Sequence, residues 1–291
     1  MEYRLVPISD VDFKDYVASV NEAYSDYFVP LHVSPENMHG LIFREDLDID
    51  QSRVAIDGEG NILGSCMLGI RDNRGWIGVM GVVPEYRRKG IGRVILKALI
   101  ENAHQLNLKF LTLEVITQNV GAFDLYKALG FEKMRTLVIF DRGVTDLPEH
   151  VTGEFSVQKG TGEDILQYYD QFHETENPWQ RQKNSLESLM ENWSTRLLMS
   201  DDVVAGYIGG WFGPERVQVW DAAISPQVDN REAAAQILFG SVLQEFPKAT
   251  SGMLNVGEDD IIVQPMQALG YRQTLRQYEM QLIINEVQDN G

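Results

Sequence analysis

At 291 residues, 44% hydrophobic and 23% charged, the chain has length for two domains and a composition that excludes collagen, coiled coil and long disorder. No apolar run nears the ~18 residues that span a bilayer, and the acidic start at Asp10, Asp12 and Asp15 lacks a basic, apolar leader, so a cytoplasmic protein with no membrane partner is expected. Of the net charge of −18, most falls in residues 146–291, with 9 Lys and Arg against 23 Asp and Glu, a field that argues against nucleic acid as partner.

Tyr3–Ile8 reads as a strand, and Phe13, Tyr16, Val17, Val20 and Tyr24 recur at helical spacing over 12–24. Pro30 interrupts the chain. Ser34 then caps a helix over 36–43, with Pro35 at its first position, and 45–50 form an acidic loop. Three strands follow in a meander over 52–56, 62–70 and 76–83, with turns at 58–61 and 72–75. After Pro84 comes a basic, glycine-bearing stretch and a helix of about 14 residues, then a strand over 110–116, a helix over 121–129 and a strand over 136–140.

A long repeat is visible. Leu63-Gly64 recurs as Ala205-Gly206 and Pro84 as Pro226 at an offset of 142, Leu113-Glu114-Val115 as Leu254-Asn255-Val256 at 141, and Ala128-Leu129-Gly130-Phe131 as Ala268-Leu269-Gly270-Tyr271 at 140. So small a drift implies two duplicated domains, expected as 1–145 and 146–291, joined near Asp141–Gly153 where Gly143, Pro148 and Gly153 punctuate the chain.

The chemistry concentrates in Arg87-Arg88-Lys89-Gly90-Ile91-Gly92-Arg93, between a strand and a helix. Glycines there allow a tight turn and a close approach, and the first amides of the helix point at an anion. The pattern meets neither the Rossmann nor the P-loop spacing. Two readings remain open, a plain turn and a pyrophosphate cradle.

The combination of motifs resembles the GNAT superfamily of acyl-CoA-dependent N-acyltransferases. Met80-Gly81-Val82-Val83-Pro84 through Gly92 is similar to the family's strand and pyrophosphate loop, and Asn119-x-x-Ala122-x-x-Leu125-Tyr126-x-x-Leu129-Gly130-Phe131 to its second acyl-CoA motif. The resemblance implies an α/β (α+β) fold with two tandem GNAT-like domains, each a mixed, mostly antiparallel sheet flanked by helices and splayed between its fourth and fifth strands. It implies acetyl-CoA as co-substrate. Backbone groups of Met80 and Val82 would pair with pantetheine, Arg87, Arg88, Lys89, Gly90, Ile91, Gly92 and Arg93 would hold the pyrophosphate, Asn119 would touch the pantetheine arm, and Tyr126 would face the thioester sulfur.

A phenol near that sulfur assists a departing thiolate, chiefly by hydrogen bonding, since a tyrosine pKa of about 10 against about 8.5 for a thiol makes full proton transfer uphill by ~1.5 units. Tyr126 also fits a core aromatic on an amphipathic helix. The fourth strand carries no carboxylate; Glu114 on the fifth is either a base or a structural partner of a cation. Glu22, Asp26, Asp46 and Asp48 either attract a cationic amine or are solvated. His32 and His39 form no metal pattern, Cys66 reads as a small hydrophobe, and no metal is expected. Tyr24, Tyr27, Phe28 and Phe43 either line an acceptor pocket or pack the first helices.

In the second repeat the aligned loop is Asp229-Asn230-Arg231-Glu232-Ala233-Ala234, without glycine, and Val263 stands near the Tyr126 equivalent in a segment interrupted by Pro265. This half is expected to keep the fold and lose the cofactor, and to wall the acceptor cleft with Trp179, Trp193, Trp211 or Trp220. The expected activity is transfer of an acetyl group to a small, cationic amine by direct attack in a ternary complex, in a monomer or homodimer. The alternative is a CoA or acyl-CoA sensor or interaction module without turnover.

Overall fold

The computed structural model describes residues 2–29, 31–147, 154–190 and 193–284; Pro30, Pro148 and Gly153 lie outside them. Two compact units appear, Met1–Met134 with Tyr278–Gly291, and Arg135–Gln277.

The first unit opens with β1 (Tyr3–Pro7) and α1 (Phe13–Ala23), whose cap is Asp12, accepting from the amides of Lys14 and Asp15 at 2.8 and 3.1 Å. The Ser34 hydroxyl caps α2 (Pro35–Arg44) through Asn37 N, as its position before Pro35 predicts. β2 (Leu47–Asp57), β3 (Ile62–Arg71) and β4 (Arg74–Val82) form the meander. The expected acidic loop at 45–50 is instead largely strand. Its carboxylates are held rather than solvated: buried Arg71 meets Asp46 at 2.6 Å and Glu45 at 3.6 Å, and Asp48 Oδ1 accepts from the amides of Asp50 and Gln51 at a register shift in β2.

α3 (Ile91–Gln105) lays Ile91, Ile95, Leu96, Leu99 and Ala103 on the sheet, and β5 (Phe110–Ile116) and α4 (Val120–Lys127) follow. Those residues join Leu63, Cys66, Leu68, Leu111, Leu113 and Phe131 in one core. Each fully buried leucine contributes roughly 1.5–3 kcal/mol.

The last strand of the repeat, β6 (Glu132–Arg142), runs past the expected 136–140 and belongs from Arg135 onward to the second unit. That unit continues with β7 (Phe155–Gly160), α5 (Gly162–Phe172), α6 (Lys183–Glu187), β8 (Ser194–Ser200), β9 (Val203–Phe212), β10 (Arg216–Ile224), α7 (Arg231–Glu245), β11 (Thr250–Gly257) and α8 (Val263–Ala268). Pro265 does not interrupt α8; it sits in the first turn, where amides have no intrahelical partner to lose. β12 (Arg272–Ile283) ends in the first unit.

The strand order is β1-β2-β3-β4-β5-β12 in the first unit and β7-β8-β9-β10-β11-β6 in the second, so the repeat is also a structural one. The units do not coincide with 1–145 and 146–291. β6 pairs antiparallel with β11, Ser251 opposite Arg142, and Ile284 N bonds Lys109 O, so each unit receives its closing strand from the other half of the sequence. No helix of the described residues is long and apolar enough to cross a membrane.

Candidate active site

β4 and β5 run parallel for three pairs, Arg74 with Phe110 to Trp76 with Thr112, and then part, although β4 continues to Val82 and β5 to Ile116. At the parting the Trp76 indole donates to Glu114 Oε2 at 2.8 Å. Glu114 therefore has a structural partner, the Trp76 indole.

The register of β3 and β4 slips between Met67–Gly78 and Ser65–Gly81, which places an extra residue on β4. Val79 takes φ +49°, rare for a β-branched residue, and marks this bulge. Beyond it Val83 N donates to Leu63 O, so by antiparallel alternation Val82 turns its amide and carbonyl away from β3, toward the gap. The Val82 carbonyl accepts from Arg87 Nε at 3.0 Å, and the Met80 carbonyl from the Tyr24 hydroxyl at 3.0 Å.

Arg87 is not a free phosphate ligand. Its guanidinium meets Asp26 in a two-pronged pair at 2.6 and 2.7 Å and also bonds Ala23 O, tying the end of α1 to the loop; this pairing lowers the Asp26 pKa and raises that of Arg87. Arg88, Lys89 and Arg93 are exposed, whereas Ile91 is buried in the core as an anchor. Arg88 and Gly90 both have positive φ, +62° and +84°, curling the backbone ahead of α3. No side chain caps α3, whose first internal bond is Val94 N to Gly90 O, so its leading amides face outward. A Cβ on Gly92 would stand 2.8 Å from Met80 Cε, so glycine there lets α3 approach β4.

Asn119 caps α4, accepting from Ala122 N at 3.2 Å; burial raises the pKa of nearby Tyr27, and the Asn119 side chain partly offsets it. Two turns on, Tyr126 is 7% exposed with its ring edge-on to Phe131. Burial first, then proximity to Cys66, Tyr24 and Tyr27, raises its pKa well above the ordinary value of 10.0. Its phenol stays protonated and has no hydrogen-bond partner among the described residues. Cys66 is buried and its thiol pushed up by burial, as a small hydrophobe.

Tyr24, Tyr27 and Phe28 form an edge-to-face chain with centroids 5.0 and 5.4 Å apart; Tyr24 packs inward while Phe28 and Phe43 are exposed. His39 stacks on Phe13 at 4.0 Å, and no metal-binding group of side chains occurs among the described residues. Asp26, Asp46 and Asp48 are each engaged in local structure, by Arg87, by Arg71 and by the amides of Asp50 and Gln51.

The second unit repeats the splay with different contents. β10 and β11 pair parallel from Arg216–Thr250 to Val219–Met253, and β10 shifts register before Asp221, which stands 142 residues after Val79. Arg181, 2% exposed, spans the opening: Nη2 donates to Asp221 Oδ1 at 2.7 Å on β10 and Nη1 to the Asn255 carbonyl at 3.2 Å on β11. Burial alone would push the Asp221 carboxyl up, but the charges and hydrogen bonds of His173 and Arg181 hold it well below the usual carboxylate range. Asn230 Oδ1 caps α7 through Ala233 N, closing the helix end that α3 leaves open, and Val263 fills the place near the Tyr126 equivalent. Trp179 is buried, and Trp211 is exposed beside Trp220 at 5.4 Å.

Sequence reasoning missed the Arg87–Asp26 clamp and the Arg181–Asp221 bridge. The second had a signal: Asp221 breaks the apolar strand Val217-x-Val219, and a carboxylate placed there requires a buried cation.

Residues 17–131 match the model of the Acetyltransferase (GNAT) family. The chain is 39% identical over 54 residues to the [Ribosomal protein bS18]-alanine N-acetyltransferase of Escherichia coli (strain K12), 19% of this chain and 36% of that one. It is 30% identical over 88 residues to the spermine/spermidine N(1)-acetyltransferase of Bacillus subtilis (strain 168), 27% of this chain and 58% of that one. The chain thus spans between about a third and three fifths of these curated relatives. A tandem GNAT protein from the clavulanic acid biosynthesis pathway superposes with a TM-score of 0.72 at 16% identity, over 98% of this chain and 99% of that one. The matched family segment thus lies in the first unit, the chain shares the fold of a tandem GNAT protein, and the same strand order is repeated in the second unit.

Proposed function

We propose that the first unit is an acetyl-CoA-dependent N-acetyltransferase, acting on a small amine by direct attack within a ternary complex. The observation that carries this reading is the alignment, in one unit, of a strand gap, an uncapped helix N-terminus with basic flanks, and a buried phenol without a partner. These residues fit an acyl-CoA. The Val82 amide faces the gap where pantetheine would lie, the leading amides of α3 with Arg88, Lys89 and Arg93 would hold the pyrophosphate, and Tyr126 would face the sulfur.

Acetyl-CoA supplies an activated acyl group on a thiolate leaving group. Tyr126 donates a hydrogen bond at the site where that negative charge develops, in a low-dielectric setting where such a bond is stronger than in water. Arg87 positions: by joining Asp26, Ala23 and Val82 it fixes the end of α1 against β4. The helix terminus adds roughly 0.3–1 kcal/mol toward an anion.

An amine acceptor is supported by the relatives, one named for a protein alanine and one for spermine and spermidine. The second unit is read as a GNAT-like fold without cofactor, its strand opening bridged by Arg181 and its helix end capped by Asn230.

Calorimetric titration of acetyl-CoA, followed by a free-thiol assay with an amine panel, tests the reading. One site per chain with amine-dependent thiol release supports it. One site with no release from any amine supports a non-catalytic acyl-CoA sensor instead, and no binding overturns both.

A further inference from the structure

We propose that Trp76, braced by Glu114, limits the length of acyl chain that the first unit accepts, restricting it to short-chain acyl-CoA. The inference rests on the reading of that unit as an acyl-CoA site and adds a selectivity to it.

The direction of β4 sets the direction of the ligand. The loop at Gly90 and Gly92 follows the Val82 end of the strand, whereas β4 and β5 stay paired at the Trp76 end. A cofactor lying along β4 with its phosphates at the loop therefore points its acyl group at the closed end of the gap.

Both faces of that end are filled. Gly75 and Ile77 turn to the core beneath α3: a Cβ on Gly75 would stand 3.0 Å from Leu108 Cδ1 and 3.3 Å from Leu68 Cδ1, and Ile77 packs in the core that holds Leu111 and Leu113. By alternation Trp76 and Glu114 lie on the opposite face. Glu114 is two residues past Thr112, where the pairing with β4 ends, or about 7 Å farther along β5. The hydrogen bond from the Trp76 indole to Glu114 Oε2, 2.8 Å, thus spans the gap beyond the last paired residues. To reach it the ring leans over Gly78, where a Cβ would stand 2.6 Å from Cη2 and 2.9 Å from Cε3; glycine is what leaves room for the ring. Trp76 is 6% exposed and is held there by packing.

Gly78 also connects this bridge to the reacting end of the ligand. Its carbonyl is 3.9 Å from Cys66 Sγ, and Cys66 neighbours the Tyr126 phenol that would face the sulfur. An acyl chain extended from that sulfur toward the closed end runs into the indole, with the core beneath α3 on its other side. Acetyl is the shortest such chain, and every added methylene has to displace a braced, bicyclic ring.

Calorimetric titration of the full-length chain with acetyl-CoA and with hexanoyl-CoA reads the ratio of their affinities and needs no acceptor amine. In wild type hexanoyl-CoA should bind about tenfold or more weakly than acetyl-CoA, the scale of forcing extra methylenes into packed space. Trp76→Leu should shift the ratio toward hexanoyl-CoA, by about fourfold for each methylene taken into the vacated space. Glu114→Ala, which releases the indole, should shift it the same way, while Glu114→Gln keeps an oxygen to accept from the indole and should keep the wild-type ratio. A merely structural Glu114 would change stability and leave the ratio alone.

Equal wild-type affinity for the two ligands overturns the proposal without any variant having to fold, and leaves the acyl-CoA reading of the unit standing. A ratio unmoved in Trp76→Leu does the same. A ratio in Glu114→Gln that matches Glu114→Ala overturns the bracing, and no binding of either ligand overturns the proposal together with the reading it rests on.

Discussion

Arg181 donates to Asp221 at 2.7 Å inside the opening between β10 and β11, and Asp221 stands at the repeat position that Val79 occupies in the first unit. One duplicated strand thus holds an apolar bulge at a gap in one copy and a buried ion pair across it in the other. The expected stoichiometry is one acetyl-CoA per chain. Equilibrium dialysis that returned two equivalent sites would show that the bridge does not exclude cofactor.

Removing the cation from that pair leaves a buried, uncompensated carboxylate. Arg181→Met should destabilise the protein by about 3–5 kcal/mol, and adding Asp221→Asn should recover part of the loss. Urea unfolding of the single and double variants measures both. No recovery in the double variant would mean that shape, not charge, is what Arg181 contributes.

The sign of the pH dependence follows from Asp221. Its folded-state pKa is depressed below the unfolded value of about 3.9, so its contribution is complete above that value and is lost as pH falls through the lower, folded one. Wild type should lose stability more steeply than Arg181→Met/Asp221→Asn on acidification below about pH 4. Parallel acid-unfolding curves would remove this carboxylate from the account.

Tyr126→Phe keeps the ring against Phe131 and deletes the donor. We expect kcat to fall roughly 10²-fold with little change in the KM for acetyl-CoA. Because the phenol is raised above its ordinary pKa, the wild-type rate should show no alkaline limb from Tyr126 up to about pH 10, the ordinary tyrosine value. An unaltered kcat would return Tyr126 to a packing role.

Arg88→Ala/Lys89→Ala should raise the KM for acetyl-CoA and flatten its salt dependence, because both side chains are exposed beside the helix terminus. Arg87→Ala should instead lower the melting temperature by releasing Asp26 and Ala23, with kcat and KM disturbed together. Steady-state kinetics at two ionic strengths beside thermal melts distinguish the two kinds of arginine.

Much of this was legible in residues. Ser34 before Pro35 announced a cap, Gly90 and Gly92 a turn and a close approach, and the periodic apolar positions of α3 its buried face, because these are local backbone and burial preferences that a short window contains. The ion pairs were not. Arg71 with Asp46, Arg87 with Asp26 and Arg181 with Asp221 are 25, 61 and 40 residues apart, and a charge in a sequence does not name its partner.

That the fold occurs twice is written in the residues alone, since the apolar pattern and the turn residues recur at a nearly constant offset. Which copy receives which closing strand is settled only in three dimensions. β6 and β12 both complete a six-strand order next to a parallel strand, so local propensity suits either strand to either place. The choice rests on long-range pairing, Ser251 with Arg142 in one unit and Ile284 with Lys109 in the other, which no local pattern encodes.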